Sequence, residues 1–518
     1  MGKCNKTVAV LLDTVSIQKY IFSGRKLREF VGASYLVNWI YREPLKKTLE
    51  LIFNKNNIDL YHWAKSPASI QVKGCADWEV GYIGGGNALL FFKNRDDAEN
   101  FVKAWTCLLL KECPGLVPSI GVIEDFDFTN YTKSLRTLFV KLDKNKRSCG
   151  VNVYIPRHGI SAECGYSGLA KEIYSSAPGI EDYVSSVVKT KLNWSPEATK
   201  WLEDNLLTSS NKDYCFTTEI DELGQKKEEG NYIAVVHIDG NSTGKIFQDS
   251  PSLERTRRLS NFLAQMIIKA MEETVKETVN NINNISNILD LKNKNNKVVL
   301  PLRPIIIGGD DITFVSAGKL GIWLAEEFIK NYKKLTENNE FNNRLFSCCA
   351  GVLITKTHMP FYWAYQLSED LCRSAKKRRR EINDDGNWLD FHIAYGGFSG
   401  STEEIRKKCY RAPNGTLTLR PFKLDDCSRS LEKYSFEEMK KRIKEINESL
   451  SKSKILELRE VLSLASPAAD IFVKNLEIRG HQLPSYPGGD FHKKLWVNDE
   501  TPYFDMIELS EFYPDFAL

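Results

Sequence analysis

An internal repeat governs how this chain can fold. Two apolar, strand-like runs each end in an aspartate: TVAVLLD at Asp13 and NYIAVVHID at Asp239. Later in each half an apolar run is broken by paired glycines and resumes, as GYIGGGNALLFF and IIIGGDDITFV. These read as hairpins, because glycine accepts the positive φ of a tight turn and the flanking residues suit strands. Asp13 and Gly84 are 71 positions apart, and Asp239 and Gly308 are 69 apart, so the two halves share one layout. Each hairpin is followed by a helix-like segment, DDAENFVKAWTCLLLKEC or KLGIWLAEEFIKNYKKL, and then by a strand, PSIGVIEDF or FSCCAGVLITK. The order strand, helix, strand, hairpin, strand, helix, strand predicts a ferredoxin-like βαββαβ unit in each half, an antiparallel sheet with helices on one face.

The second unit continues through a helix at FYWAYQLSEDLCRSAKKRRR and a strand at WLDFHIAYGGF, and its first helix is followed by an Asn- and Lys-rich stretch, NNINNISNILDLKNKNNK, that reads as a surface insertion. From about Ser401 amphipathic helices such as SFEEMKKRIKEINESL take over. The expected class is α+β: two ferredoxin-like palm domains plus a C-terminal helical domain. The expected division is a first palm at 1–130, a linker domain at 131–228, a second palm at 229–400, and C-terminal helices with a tail at 401–518. The tail after Pro484, rich in Pro, aromatic and acidic residues, either packs back on the body or docks a partner.

With 71 basic and 67 acidic side chains in 518 residues, the formal charge of +4 does not by itself argue for nucleic-acid binding. No run approaches the roughly 18 apolar residues that span a bilayer, and no signal-peptide pattern opens the chain, so a cytoplasmic protein is expected. The 12 cysteines are scattered without a CxxC pair, as reduced thiols would be. The one grouping with zinc-like residue types, Cys149, His158 and Cys164, lacks a fourth ligand and the short paired spacing of structural sites.

The chemistry concentrates in the second half. Asp239 closes the first strand, while Asp310 and Asp311 sit at the tip of the hairpin that a ferredoxin-like sheet puts beside it. Clustered carboxylates repel one another unless a cation neutralises them, and all-oxygen ligands suit Mg²⁺ or Mn²⁺. Such ions lower the pKa of an attacking hydroxyl and neutralise leaving pyrophosphate, which is the chemistry of nucleotidyl transfer. GGDD alone is equally a polar hairpin tip; Asp239 at the matching strand end favours the metal. Gly308 and Gly309 form the turn. The loop after Asp239, GNSTGK, carries Gly240, Asn241 and Gly244 and lets backbone N–H groups approach a triphosphate. Lys376 either reaches back to the phosphates or belongs to the solvated run KKRRRE.

At the first hairpin Gly86 and Asn87 stand where the two acids would be, so that half is not expected to bind two metals. Gly84, Gly85 and Gly86 instead offer backbone contacts to a second nucleotide, with Asn87 beside them. Asp13 reads as a cap or turn residue, and His237 as a packed core histidine.

The chain also resembles a known family, the large double-palm subunit of type III CRISPR effector complexes, which makes cyclic oligoadenylates from ATP. The similar pieces are DTVSIQKYIFSGRKLREFVGASYL, YIGGGN, VVHIDGNSTGKIF, IIIGGDDITF, CAGVLITKTHMPFYWAYQLSEDLCRSAK and TLTLRPF, between about residues 7 and 425. More distantly, the second palm resembles GGDEF diguanylate cyclases. The resemblance implies that Asp239, Asp310 and Asp311 bind metal, that Lys376 contacts triphosphate, and that ATP sits in each palm. Many relatives begin with an HD nuclease domain, but no His-Asp dipeptide occurs here, so no such activity is expected. The cysteine knuckle often found between the palms is reduced to Cys164. The expected function is synthesis of a cyclic or short oligonucleotide signal from ATP or other nucleotides, in antiviral defence. The alternatives are a template-dependent polymerase and a scaffold whose C-terminal helices hold RNA or other protein subunits.

Overall fold

A computed structural model describes residues 7–60, 76–148, 159, 161–177, 179–208, 211–224, 231–341, 345–396 and 400–518. The protein is α+β and its chain forms two compact units. The first comprises residues 1–206, 242–269 and 305–311, and the second comprises residues 207–241, 270–304 and 312–518.

In the first unit, β1 (Val8–Thr14), α1 (Ile17–Phe22), α2 (Leu27–Trp39), α3 (Glu43–Phe53), β2 (Trp78–Gly84), β3 (Asn87–Phe92), α4 (Arg95–Glu112) and β4 (Pro118–Ile123) follow the expected order. The sheet runs β2-β3-β1-β4, and β1 is antiparallel to both neighbours. Val8 to Leu12 are fully buried, as expected for a central strand covered on both faces. Helix α4 starts where Asn94 accepts a 2.9 Å hydrogen bond from the Asp97 N–H, with Asp96 and Asp97 in the first turn complementing the helix dipole. Helix α5 (Tyr131–Ser148) then packs on β4 and β1. An isolated hairpin, β5 (Ile173–Ala177) with β6 (Ile180–Val184), leads into α6 (Ser186–Leu206), which lies against α2. Gly32 permits that approach: a Cβ there would stand 1.8 Å from the Lys191 carbonyl oxygen.

A segment that sequence order assigns to the second repeat also belongs to this unit. Residues 242–269 carry α7 (Thr243–Gln248) and the start of α8 (Leu253–Asn280). Buried Arg257 donates to the Gly81 carbonyl at 2.9 Å and to Glu79 at 2.6 Å, and Phe247 packs on Tyr82.

In the second unit the small sheet β7-β10-β9 is built from β7 (Tyr214–Cys215), β9 (Asn293–Lys294) and β10 (Lys297–Val299). The large sheet has β8 (Tyr232–Gly240) near its centre, in the order β11-β12-β8-β13-β14-β17. Its other members are β11 (Leu302–Gly308), β12 (Asp311–Ala317), β13 (Cys348–Lys356), β14 (Trp388–Ala394) and β17 (Phe422–Lys423), with β15 (Arg411–Ala412) and β16 (Gly415–Thr416) forming a short separate ribbon. The first four strands repeat the order of the first sheet. Helices α10 (Gly321–Thr336) and α11 (Phe361–Glu381) pack on it, and α12 (Thr402–Cys409) follows β14.

The Asn- and Lys-rich insertion has structure of its own. It forms α9 (Ile282–Ile288) and the β9–β10 turn, where Asn295 and Asn296 take φ of 51° and 60°, the left-handed pair of a tight hairpin. Ile285, fully buried, and Leu289 anchor it while its tip stays exposed.

Of the two fates open to the tail, packing on the body is the one observed. The C-terminal helices are α13 (Phe436–Ser449), α14 (Lys452–Leu462), α15 (Ser466–Ile478) and α16 (Tyr503–Phe512). Nearly all of α16 is buried, Asp505 and Glu508 included. Arg420 reaches Glu508 at 2.7 Å, and Asp505 accepts the Leu419 N–H at 2.6 Å. Glu326 of α10 accepts from Lys440 of α13 at 2.7 Å and from the hydroxyl of Tyr513. No helix among the described residues is long and apolar enough to cross a membrane.

Candidate active site

Asp239 is the penultimate residue of β8, half-buried at the strand end. Lys376 Nζ donates to its Oδ2 at 2.6 Å and to the Gly240 carbonyl at 2.8 Å. Lys376 gets there because Gly351 of β13 has no side chain. A Cβ at Gly351 would lie 2.0 Å from the Ser368 carbonyl oxygen and 2.4 Å from the Cys372 nitrogen, so α11 rides directly on the strand. One turn beyond Cys372, Lys376 shares its face and points at Asp239. Burial works against the Lys376 ammonium, but the Asp239 carboxylate outweighs it and holds the lysine pKa above its ordinary value. Lys376 is thus an ion-pair partner of Asp239 and not a free member of the basic run.

The loop after Asp239 is pinned at Asn241. Its N–H donates to the Ser347 carbonyl at 2.8 Å, its amide nitrogen to Ser347 Oγ at 2.9 Å, and its amide oxygen accepts from Cys349 at 3.4 Å. Gly244 faces open space, with no atom of the described residues within 4 Å of a Cβ built there. His237 is a core residue as expected: it is buried, bonded to Thr313 Oγ1 at 3.1 Å and packed edge-on to Tyr365, and burial pushes its pKa down to about 4.

Gly308 ends β11, Gly309 turns at φ 63°, and Asp310 and Asp311 follow, with Asp311 opening β12, the neighbour of β8 in the sheet order. Both acids are half-buried. In the first sheet, Gly84 ends β2, Gly85 and Gly86 turn at φ 60° and 75°, and Asn87 opens β3. Asn87 pairs in register with Asp13, and its side-chain oxygen is buried without a hydrogen-bond partner among the described residues. A Cβ at Gly86 would meet Ile17 Cδ1 at 2.7 Å, and one at Gly84 would meet Ser260 Oγ at 2.9 Å.

Among the described residues no three His, Cys, Asp or Glu side chains are gathered closely enough to cage a metal ion. The three aspartates nevertheless offer the all-oxygen donors a hard divalent cation takes, and Mg²⁺ characteristically uses one or two carboxylates plus substrate phosphates rather than an all-protein cage. Of the zinc-like grouping, Cys149 and His158 lie outside the described residues, while Cys164 is buried in an apolar cluster with Ile180, Val184, Val188 and Leu192.

Residues 232–383 match the family model of the Cas10/Cmr2 second palm domain, a span that runs from β8 past Lys376. Over that span the chain carries a second palm domain of the Cas10/Cmr2 type. Its fold is shared by the crystal structure of a Csm1-Csm4 cassette in complex with cA3, at 12% identity and a TM-score of 0.50, over 98% of this chain and 70% of that one. Matching structures of the cassette with pppApApA (12% identity) and with AMPPNP (13%) have the same TM-score and coverage. Among curated protein sequences none matches the chain.

Proposed function

We propose that the chain is a nucleotidyltransferase of the cyclase type, joining ATP or other nucleoside triphosphates into a cyclic or short oligonucleotide signal at its second palm. The observation that carries this reading is the Lys376–Asp239 pair, which sets a half-buried ammonium, its pKa held above the ordinary value, beside a strand-end carboxylate. The family match over 232–383 and the ligands named for the related cassettes, cA3, pppApApA and AMPPNP, support it.

In this reading Asp239, Asp310 and Asp311 hold Mg²⁺ or Mn²⁺ together with the phosphates of the substrate. The repeat supports the grouping: Asp13 and Asn87 pair across the first sheet, and Asp239 and Asp311 hold the corresponding places in the second. The bound ion supplies a lowered pKa at the attacking ribose hydroxyl and neutralises the leaving pyrophosphate. Lys376 holds the β- and γ-phosphates without losing its grip on Asp239, since an ammonium has three donors. Gly244 leaves space for phosphate oxygens beside the loop that Gly240 begins, Asn241 fixes that loop, and Gly308 and Gly309 present the acids. A second nucleotide lies along Gly84, Gly85, Gly86 and Asn87. Association with other protein subunits falls to the C-terminal helices, where Leu456, Ile471 and Ile478 are exposed.

Incubating the purified chain with the four nucleoside triphosphates and Mg²⁺, and identifying products by mass spectrometry, tests the reading. Cyclic or short 5′-triphosphorylated oligonucleotides are expected. Template-directed polymer, or no product in the presence of any protein subunit or RNA that co-purifies with the chain, contradicts it.

A further inference from the structure

The first palm carries its own copy of the lysine device that serves Asp239. Lys146, near the end of α5, forms a salt bridge with Asp13 Oδ2. Asp13 is 7% exposed, and burial raises its pKa despite the opposing pull of Lys146.

The correspondence with the second palm holds step by step. Gly121 of β4 is paired with Leu11, two residues before Asp13, and Gly351 of β13 is paired with His237, two residues before Asp239. A Cβ at Gly121 would lie 3.1 Å from the Leu138 carbonyl oxygen and 3.2 Å from Leu142, as one at Gly351 would strike Ser368 and Cys372. Lys146 follows Leu142 by four residues, and Lys376 follows Cys372 by four. Each lysine is also the sixteenth residue of its helix, counting from Tyr131 and from Phe361. A glycine in the fourth strand therefore admits the next helix, and the helix delivers a lysine to the aspartate of the first strand.

This arrangement is more than a solution for neutralising one carboxylate. A buried aspartate needed only for packing is replaced at lower cost by an apolar or amide residue than by a matched charged pair. Lys146 remains 35% exposed in its side chain, and an ammonium has three donors, so a ligand beside Asp13 can reach it without breaking the ion pair. The buried oxygen of Asn87, partnerless among the described residues, sits on the neighbouring strand, in register with Asp13.

We propose that Lys146, held by Asp13, binds the triphosphate of a second nucleoside triphosphate in the first palm, in the role Lys376 has in the second. The first palm then lacks the paired acids but keeps its anion-binding lysine, so it holds a nucleotide without the second palm's metal ligands. The chemical class of the ligand rests on the function proposed above.

Calorimetry with the β,γ-imido analogues of the four nucleoside triphosphates in Mg²⁺ tests this, with a thermal melt on each protein. The wild-type chain is expected to bind two nucleotides. Lys146→Met is expected to bind one, with at least a tenfold weakening of the other, and Lys376→Met to lose the opposite one. Asp13→Asn combined with Lys146→Met removes both charges, so a folded double variant must show the same loss even where the single variant is unstable. Lys146→Arg should restore part of the lost affinity. Two nucleotides bound at full affinity by the folded double variant, with Lys376→Met still losing one, would overturn the inference and leave the proposed function standing. A wild-type chain that binds none of the analogues would overturn both.

Discussion

Gly309, in the turn of the second hairpin, faces the backbone of Gly85, in the turn of the first: a Cβ built on Gly309 would lie 3.0 Å from the Gly85 α-carbon. Both residues have positive φ, 63° and 60°. Two glycine turns thus meet backbone to backbone, and Gly309 cannot gain a side chain unless the Gly85 backbone gives way by a few tenths of an ångström. Gly309→Ala should cost about 1–3 kcal/mol of stability in denaturant unfolding, from the left-handed φ and the close contact together. A neutral substitution would show that the two turns are not held against each other.

Gly85→Val has a different problem. Its Cβ would stand at an ordinary 3.7 Å from Gly309, but a β-branched residue at φ 60° is strained by roughly 1–2 kcal/mol or more. Synthesis should fall severely, through weaker binding of the second nucleotide. A folded Gly85→Val protein that binds two nucleotides with full affinity would refute the role given to the first hairpin.

Lys376→Met should weaken triphosphate binding about 10- to 100-fold, the loss of one charge-assisted contact. The wild-type lysine has its pKa raised above 10.5, so its ion-pair contribution is complete below that pH and is lost only as pH climbs beyond it. Titrations at pH 7 and pH 9 should therefore give the same contribution from Lys376, read as the difference between wild type and variant. A difference that shrinks between those pH values would contradict this.

His237 sets an acid-side dependence. Its pKa falls from 6.5 unfolded to about 4 in the fold because the ring is buried, so the unfolded chain binds the proton first. Stability from this group is complete above 6.5 and is lost as pH falls toward 4, amounting to about 2 kcal/mol by pH 5. His237→Gln, which can keep the bond to Thr313, should show a correspondingly smaller drop in unfolding free energy between pH 7 and pH 5. An unchanged drop would mean the histidine does not titrate this way.

The order of elements and the antiparallel sheet of the first palm were legible because periodicity and paired glycines are local signals, as at Val8–Thr14 and Trp78–Phe92. The placement of residues 242–269 with the first palm was not, because it depends on contacts such as Arg257 to Gly81 that no local pattern announces. Lys376 was ambiguous within KKRRRE, since a helix face is decided by what lies beneath it, here Gly351. The sequence hides Lys146 for the same reason. Its signal was present, as a glycine two residues out of step with the aspartate and a lysine one turn past the helix contact, but it becomes readable only once the strand register is known. Asp13 accordingly reads as a turn residue from the sequence alone.

Metal dependence follows from the donor set. Chelation with EDTA should abolish synthesis, and Mg²⁺ or Mn²⁺ should restore it while Zn²⁺ does not, since the proposed ligands are all carboxylate oxygens. Zinc-supported synthesis in metal-stripped protein would overturn the assignment.

The account depends most on Asp310 and Asp311. Product formation from nucleoside triphosphates by the wild-type chain and by the double variant Asp310→Ala, Asp311→Ala, each checked for folding by thermal melt, is the most direct measurement. The variant is expected to keep its fold, because half-buried acids at a hairpin tip are not core residues, and to lose at least 10³-fold in rate, the scale of removing a main source of transition-state charge stabilisation. Undiminished synthesis by a folded double variant would contradict the second palm as the reaction centre.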